Sequence, residues 1–209
     1  MPDLRNVKPI LLDLPEEFET ERLILRCARP GDGAEVNDAI RETIDDLSPW
    51  MPWATPVPEP ETTEEWLRQQ RAKFIDRSNF HFGMYLKSTG EFAGGAGLHV
   101  VSWDVPNLEI GYWCRKRYEG TGFISEAVVA LRWFAFELLG ANRVQIRIDP
   151  LNGRSRKVAE RNGFKLEGEL RNSDKAPDGR VRGTLFYSML PEEYEAYRGT
   201  YPIKMEGGV

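Results

Sequence analysis

Arg117, Tyr118, Glu119, Gly120, Thr121, Gly122 and Phe123 place a guanidinium and two closely spaced glycines directly before a run of helical periodicity. That arrangement can bind phosphate. Gly120 and Gly122 can take positive φ and turn their N–H groups inward without Cβ interference, where a helix start leaves N–H groups unsatisfied. The aligned peptide dipoles put roughly half a positive charge at that helix end, and Arg117 adds a full charge and a forked donor suited to a pyrophosphate. The same spacing also describes a turn whose glycines only let a strand and a helix pack. Neither G-x-x-x-x-G-K-[ST] nor G-x-G-x-x-G occurs anywhere in the chain.

A second group, Asn152-x-x-Ser155, precedes Asn162-Gly163-Phe164. At a helix start Asn and Ser are first of all capping residues. Trp50 and Trp53 stand in a proline-rich loop of neither strand nor helix spacing, and such rings usually fold back onto apolar surface. His81 and His99 fall on separate expected strands without metal-ligand spacing, so both read as core or surface histidines and no metal is expected.

The elements that must position these residues follow from periodicity. Residues 1–18 read as an extended arm broken by Pro2, Pro9 and Pro15. A first strand follows from Glu19 to Arg29, with Leu23 and Leu25 on one face, then a helix that Asp32 can cap, and a second helix opened by Thr62-Thr63-Glu64-Glu65. Strands are expected at 80–86, 92–101, 108–114, 143–148, 164–170 and 182–190. The long amphipathic helix after Gly122 has apolar residues at 124, 127, 128, 131, 134, 135 and 138, and a short helix starts near Asn152. Three consecutive strands make an antiparallel meander, while β-α-β around the long helix demands a right-handed parallel crossover, so the sheet is expected to be mixed.

The sequence R-x-x-G-x-G before a helix and after E-I-G-Y-W resembles the acyl-CoA pyrophosphate loop of the GCN5-related N-acetyltransferases, the GNAT family. The S-E-A after the loop and the L-x-P-W-x-P-W stretch are similar to the branch acetylating ribosomal-protein N-termini (RimJ/RimL-like). The resemblance covers roughly residues 19–196. It implies the GNAT fold, an α/β (α+β) architecture with a mixed, mostly antiparallel sheet of about seven strands and about four helices. The expected division is an arm at 1–18, one domain at 19–197 and a tail at 198–209. It further implies acetyl-CoA as co-substrate, with Asn152 on the pantetheine arm and the Ser155 hydroxyl near the thioester sulfur. When an amine attacks the thioester, coenzyme A leaves as a thiolate that a hydroxyl can protonate, so Ser155 is the candidate acid. The backbone of Trp113 and Cys114 would hydrogen-bond the pantetheine arm as a further strand would, and Lys157 can meet a cofactor phosphate. A covalent acyl-Cys114 is less simple than direct transfer, since no neighbouring His in sequence activates the thiol. Trp50 and Trp53 become an acceptor-side wall.

The acceptor amine must lose a proton, and an α-amino group near ~7.7–8.0 needs far less help than a lysine near ~10.4. Glu109, on the central strand with Gly111 and Trp113 on its face, is one candidate base, and Asp174, in a segment similar to the family's final hairpin, is the other.

Hydrophobic content of 41% with 29% charged residues is that of a soluble globular domain. The proline- and acid-containing N-terminus is not a signal peptide, no apolar run approaches a membrane span, and two dispersed cysteines fit a reducing cytoplasm. A formal charge of −5 argues against nucleic acid and favours a cationic substrate. The function expected is acetyl transfer from acetyl-CoA to a primary amine, on a peptide N-terminus or a small cation. The alternatives are a non-catalytic acyl-CoA sensor and a phosphate-binding domain for another nucleotide. Neither the acceptor nor a homodimeric state is decided by the sequence.

Overall fold

The computed structural model describes residues 7–199 and 202–205. Parts of the expected arm (1–6) and of the expected tail (200, 201 and 206–209) lie outside the described residues. The element order is β1 Glu17–Glu19, β2 Leu23–Arg26, α1 Gly33–Leu47, α2 Pro60–Ile75, β3 Asn79–Leu86, β4 Phe92–Ser102 and β5 Asn107–Cys114. It continues with α3 Phe123–Trp133, β6 Arg143–Ile148, α4 Gly153–Arg161, β7 Lys165–Lys175, β8 Val181–Met189, α5 Pro191–Tyr194 and β9 Lys204–Met205. The strands form one sheet in the order β7-β8-β6-β5-β4-β3-β2-β1-β9.

Every neighbouring pair is antiparallel except β5 with β6, the pair joined by the α3 crossover. Among the described residues nine strands rather than seven are present, because Glu17–Glu19, which begins in the expected arm, pairs with β2, and Lys204–Met205 pairs with β1. Burial and pairing together explain the first addition: Phe18 is fully buried against Phe82 and Phe134, and the ladder to β2 satisfies the backbone of the same three residues.

Alternation along the strands separates two apolar layers. Leu23, Leu25, Phe80, Phe82, Leu98 and Ile110 pack toward α3, whose Ala127, Val128, Leu131 and Phe134 are buried. The other layer holds Val36, Ala39 and Ile40 of α1 and Leu67 of α2 against Tyr85 and Phe92, with Trp113 packed at its edge. The long helix passes into a π turn at Phe134–Leu138 and stops before Gly140, whose φ of 60° is a left-handed value.

Two expected caps are different in the structure. Asp32 precedes α1, but its carboxylate accepts from Arg29 N–H and from both terminal nitrogens of Arg26 instead of capping. The second helix starts two residues before Thr62, with Pro60 at its first position, where its missing N–H is no loss. Thr63 lies inside the first turn and bonds Asn37 and the Glu59 carbonyl.

Candidate active site

The site is organised by a place where the sheet comes apart. The β5–β6 ladder pairs Asn107–Glu109 with Arg143–Gln145 and goes no further, while β6 stays with β8 as far as Ile148 and Leu185. Beyond Glu109, β5 remains paired with β4 through Cys114. Its opposite edge, from Ile110 to Cys114, is therefore left without a strand partner among the described residues. A backbone edge of this kind needs hydrogen-bond partners, and an extended ligand can supply them.

Next to the opening is a cleft of about 550 Å³ lined by Tyr112, Trp113 and Cys114 of β5, the glycine turn, the first turn of α3, and α4. Gly120 and Gly122 both adopt left-handed backbone, with φ of 77° and 88°, and Gly122 is the residue that opens α3. The Ser125 hydroxyl, in the first turn of α3, lines the cleft and is a buried oxygen with no protein partner. A buried hydroxyl without a partner costs free energy unless something else bonds it.

Ser155 and Tyr112 meet across the cleft. Their hydroxyl oxygens are 2.8 Å apart, one on α4 and one on β5. Asn152 caps α4 by accepting from the Ser155 N–H at 3.0 Å, which fixes the serine from its backbone. Burial pushes the Tyr112 phenol up to about 12, the Ser155 hydrogen bond acting the other way, so the phenol keeps its proton at neutral pH. Burial likewise pushes the Cys114 thiol up to about 12, with Glu119 adding to it, which leaves the sulfur a protonated, weak nucleophile.

The expected site residues divide. Trp50, Trp113, Cys114, Tyr118, Glu119, Gly120, Gly122, Phe123, Asn152, Ser155 and Lys157 all line the cleft. Arg117 does not. Its backbone N–H and side chain bond Glu42 of α1, at 2.7 Å for the closest charge pair, and its hydrogen bonds pull the Glu42 carboxyl down to about 2. Positive charge on the cleft comes instead from Arg154, Lys157 and Arg161, with Arg154 ion-paired to Glu119 and Asp46. Thr121 turns its hydroxyl back to the Tyr118 carbonyl. Asp174 stands apart on β7, about half exposed and paired with Arg182, and the Lys175 N–H holds its carboxyl below the usual aspartate range. Glu109 accepts from Arg147 at 2.6 Å and from Gln145 at 3.0 Å, at the end of the β5–β6 ladder.

On the α1/α2 face the structure gathers residues that the sequence leaves scattered. The Trp53 ring sits 6.2 Å from Trp113, and Trp66 of α2 meets His81 edge to face at 4.8 Å. A Cβ on Gly95 would stand 2.7 Å from the Trp113 indole nitrogen and 3.1 Å from His81 Nε2, so only glycine lets both rings cover the sheet there. Tyr112 and Trp66 have no distinguishing sequence signal: the first reads as one more aromatic in a strand, the second as the apolar face of a helix. Among the described residues no group of three or more His, Cys, Asp or Glu side chains can hold a metal ion.

The sequence matches the family described as the acetyltransferase (GNAT) domain over residues 22–165. It is 31% identical over 176 residues to a Bacillus subtilis protein named "Putative ribosomal N-acetyltransferase YdaF", covering 84% of this chain and 94% of that one. Among solved structures, RimL, a ribosomal L7/L12 alpha-N-protein acetyltransferase in complex with coenzyme A, superposes with a TM-score of 0.77 at 20% identity, covering 83% of this chain and 97% of that one. The ribosomal-protein-S5-alanine acetyltransferase of Vibrio fischeri gives 0.74 at 21% identity, with 86% and 98% covered. These two structural likenesses are of fold.

Proposed function

We propose that this chain, which belongs to the GNAT acetyltransferase family, transfers acetyl from acetyl-CoA to the α-amine of a peptide or protein N-terminus. The observation that carries the reading is the Ser155–Tyr112 hydroxyl pair beside the unpartnered edge of β5. A thiolate leaving group needs a proton donor at that point, and a capped, hydrogen-bonded serine supplies one.

The residues present fit acetyl-CoA. The open β5 edge offers backbone groups to the amides of a pantetheine arm; Tyr118, Glu119 and Thr121 already donate their N–H groups to the carbonyls of Arg115, Lys116 and Tyr118, which leaves those of Gly120, Gly122 and Phe123 for a pyrophosphate, and Ser125 has a hydroxyl to donate. Lys157, Arg154 and Arg161 supply the cationic rim. Bound acetyl-CoA supplies the activated acyl carbon; Ser155, supported by Tyr112, protonates the departing sulfur. The amine would arrive on the α1/α2 face under Trp53, where Glu109 lies beside the opening. Of the two carboxylates, Asp174 is the poorer base, since its depressed pKa and its Arg182 partner both oppose protonation.

The relatives' names support an N-terminal acceptor: YdaF and RimL are both named for ribosomal N-acetylation. Two free cysteines agree with a reducing cytoplasmic setting. The test is coenzyme A thiol release with a panel of peptides and small amines. Release that depends on peptide supports transfer; coenzyme A binding without release under any acceptor would favour the acyl-CoA sensor instead.

A further inference from the structure

Two imidazoles lie on the acceptor side of the opening, and the Ser155–Tyr112 pair leaves both unused. In register, Asn79, His99 and Glu109 stand side by side across β3, β4 and β5, followed by His81, Gly97 and Gly111. His81, His99 and Glu109 therefore share the α1/α2 face. His99 Nε2 lies 3.1 Å from where a Cβ on Gly111 would stand, so the ring tip leans over Gly111, two residues past the last β5–β6 pair. That is the point at which the sheet opens toward Tyr112 and Ser155. His99 is exposed, whereas His81 is covered by Trp66 and its Nδ1 is buried without a partner. Glu109 already neutralises Arg147 at 2.6 Å.

We propose that His99 is the general base that removes the proton from the acceptor ammonium, with Glu109 beside it as the carboxylate that favours the resulting imidazolium. The inference rests on the reading of the site as an amine acetyltransferase. Four groups face His99 from the elements around it: Glu109 of β5, Arg147 of β6, Lys73 of α2 and His81 of β3. Lost hydration lowers its imidazole below the ordinary value, Glu109 raises it, and Arg147 and Lys73 lower it. His81 is driven to about 4, by burial first and then by His99, and stays neutral. At neutral pH His99 is thus a free base open to solvent. It takes one proton from the ammonium, and the freed lone pair forms the N–C bond to the acetyl carbon as the C–S bond breaks with its electrons on sulfur. The nitrogen, cationic again once it is bonded to carbon, releases its second proton to water, while Ser155 protonates the sulfur and is replenished from water. Net, the nitrogen loses two protons; sulfur gains one and solvent the other, through His99.

The experiment is kcat/KM for a good peptide acceptor from pH 6 to 9 in wild type, His99→Gln, His99→Asn and Glu109→Gln. Loss of a general base predicts a deficit of ~10²-fold at the acid end for both His99 variants. It should shrink as the pH passes the α-amine's own ~7.7–8.0, where free amine needs no base. Added imidazole should restore part of the rate in His99→Ala. A deficit equal at every pH, a wild-type profile in both variants, or a pH-dependent deficit in Glu109→Gln with none in His99→Gln would overturn the inference while leaving acetyl transfer intact. A wild type that releases no thiol with any amine would remove both.

Discussion

The Ser155 Oγ and the Tyr112 phenol oxygen lie 2.8 Å apart, one carried by α4 and the other by β5, across the opening where the sheet separates. Because the Asn152 side chain holds the Ser155 N–H, the serine's backbone stays in place when its hydroxyl is removed. Ser155→Ala should therefore lower kcat by ~10²–10⁴ with KM for acetyl-CoA nearly unchanged. Tyr112→Phe should cost about tenfold, the scale of one hydrogen bond to a positioned donor. Steady-state kinetics on both variants decide the order: a larger loss in Tyr112→Phe would make the phenol the acid.

Glu42 of α1 holds the segment that leads into the glycine turn by accepting from Arg115 and Arg117. Its folded pKa of about 2 lies below the ordinary 4.5, so it contributes stability above pH 4.5 that is lost as pH falls toward 2. Glu42→Gln should lower Tm at pH 7, by roughly 1–2 kcal/mol in stability given its partial exposure, and the gap to wild type should close on acidification. Thermal melts at pH 7 and pH 3 measure this; a gap that is the same at both would refute the charge pairing.

At Gly122 an added Cβ would meet only Arg22, at 3.5 Å, so the cost of Gly122→Ala is the left-handed φ of 88° itself. That is about 1–2 kcal/mol. Gly122→Asp adds a negative charge against the proposed phosphate cradle and should also weaken coenzyme A binding. Calorimetry finding equal coenzyme A affinity in folded Gly122→Asp would remove the cradle from the account.

Trp53 contacts Trp113 from the α1/α2 side and does not line the cleft. Trp53→Ala should raise KM for the acceptor several-fold and leave KM for acetyl-CoA within about twofold, as uniform binding of one substrate requires. Loss of acetyl-CoA affinity alone would place the ring on the other substrate.

Much of this fold is legible in the chain because local signals and burial agree. Leu23 and Leu25 alternate and are fully buried, and Gly120, Gly122 and Gly140 stand where the backbone turns left-handed. The terminal strands escape such reading because Glu17–Glu19 and Lys204–Met205 are too short to show a period and form only through pairing, the first with β2 and the second with β1. The site behaves the same way. Asn152 and Ser155 are visible because capping is local, whereas Arg117's engagement by Glu42 spans 75 positions and has no local trace. His81 and His99 look unrelated in sequence, and only the β3–β4 and β4–β5 registers bring them onto one face with Glu109.

The central claim is that acetyl passes from acetyl-CoA to a peptide α-amine. Its most direct test incubates the protein with acetyl-CoA and a peptide bearing both a free N-terminus and an internal lysine, follows thiol release, and locates the acetyl group by mass spectrometry. The account predicts stoichiometric thiol release with acetyl on the N-terminal nitrogen, because that amine near ~7.7–8.0 is deprotonated at far less cost than lysine near ~10.4. Acetyl found mainly on the lysine, or no release with any peptide under conditions where acetyl-CoA binds, would contradict it.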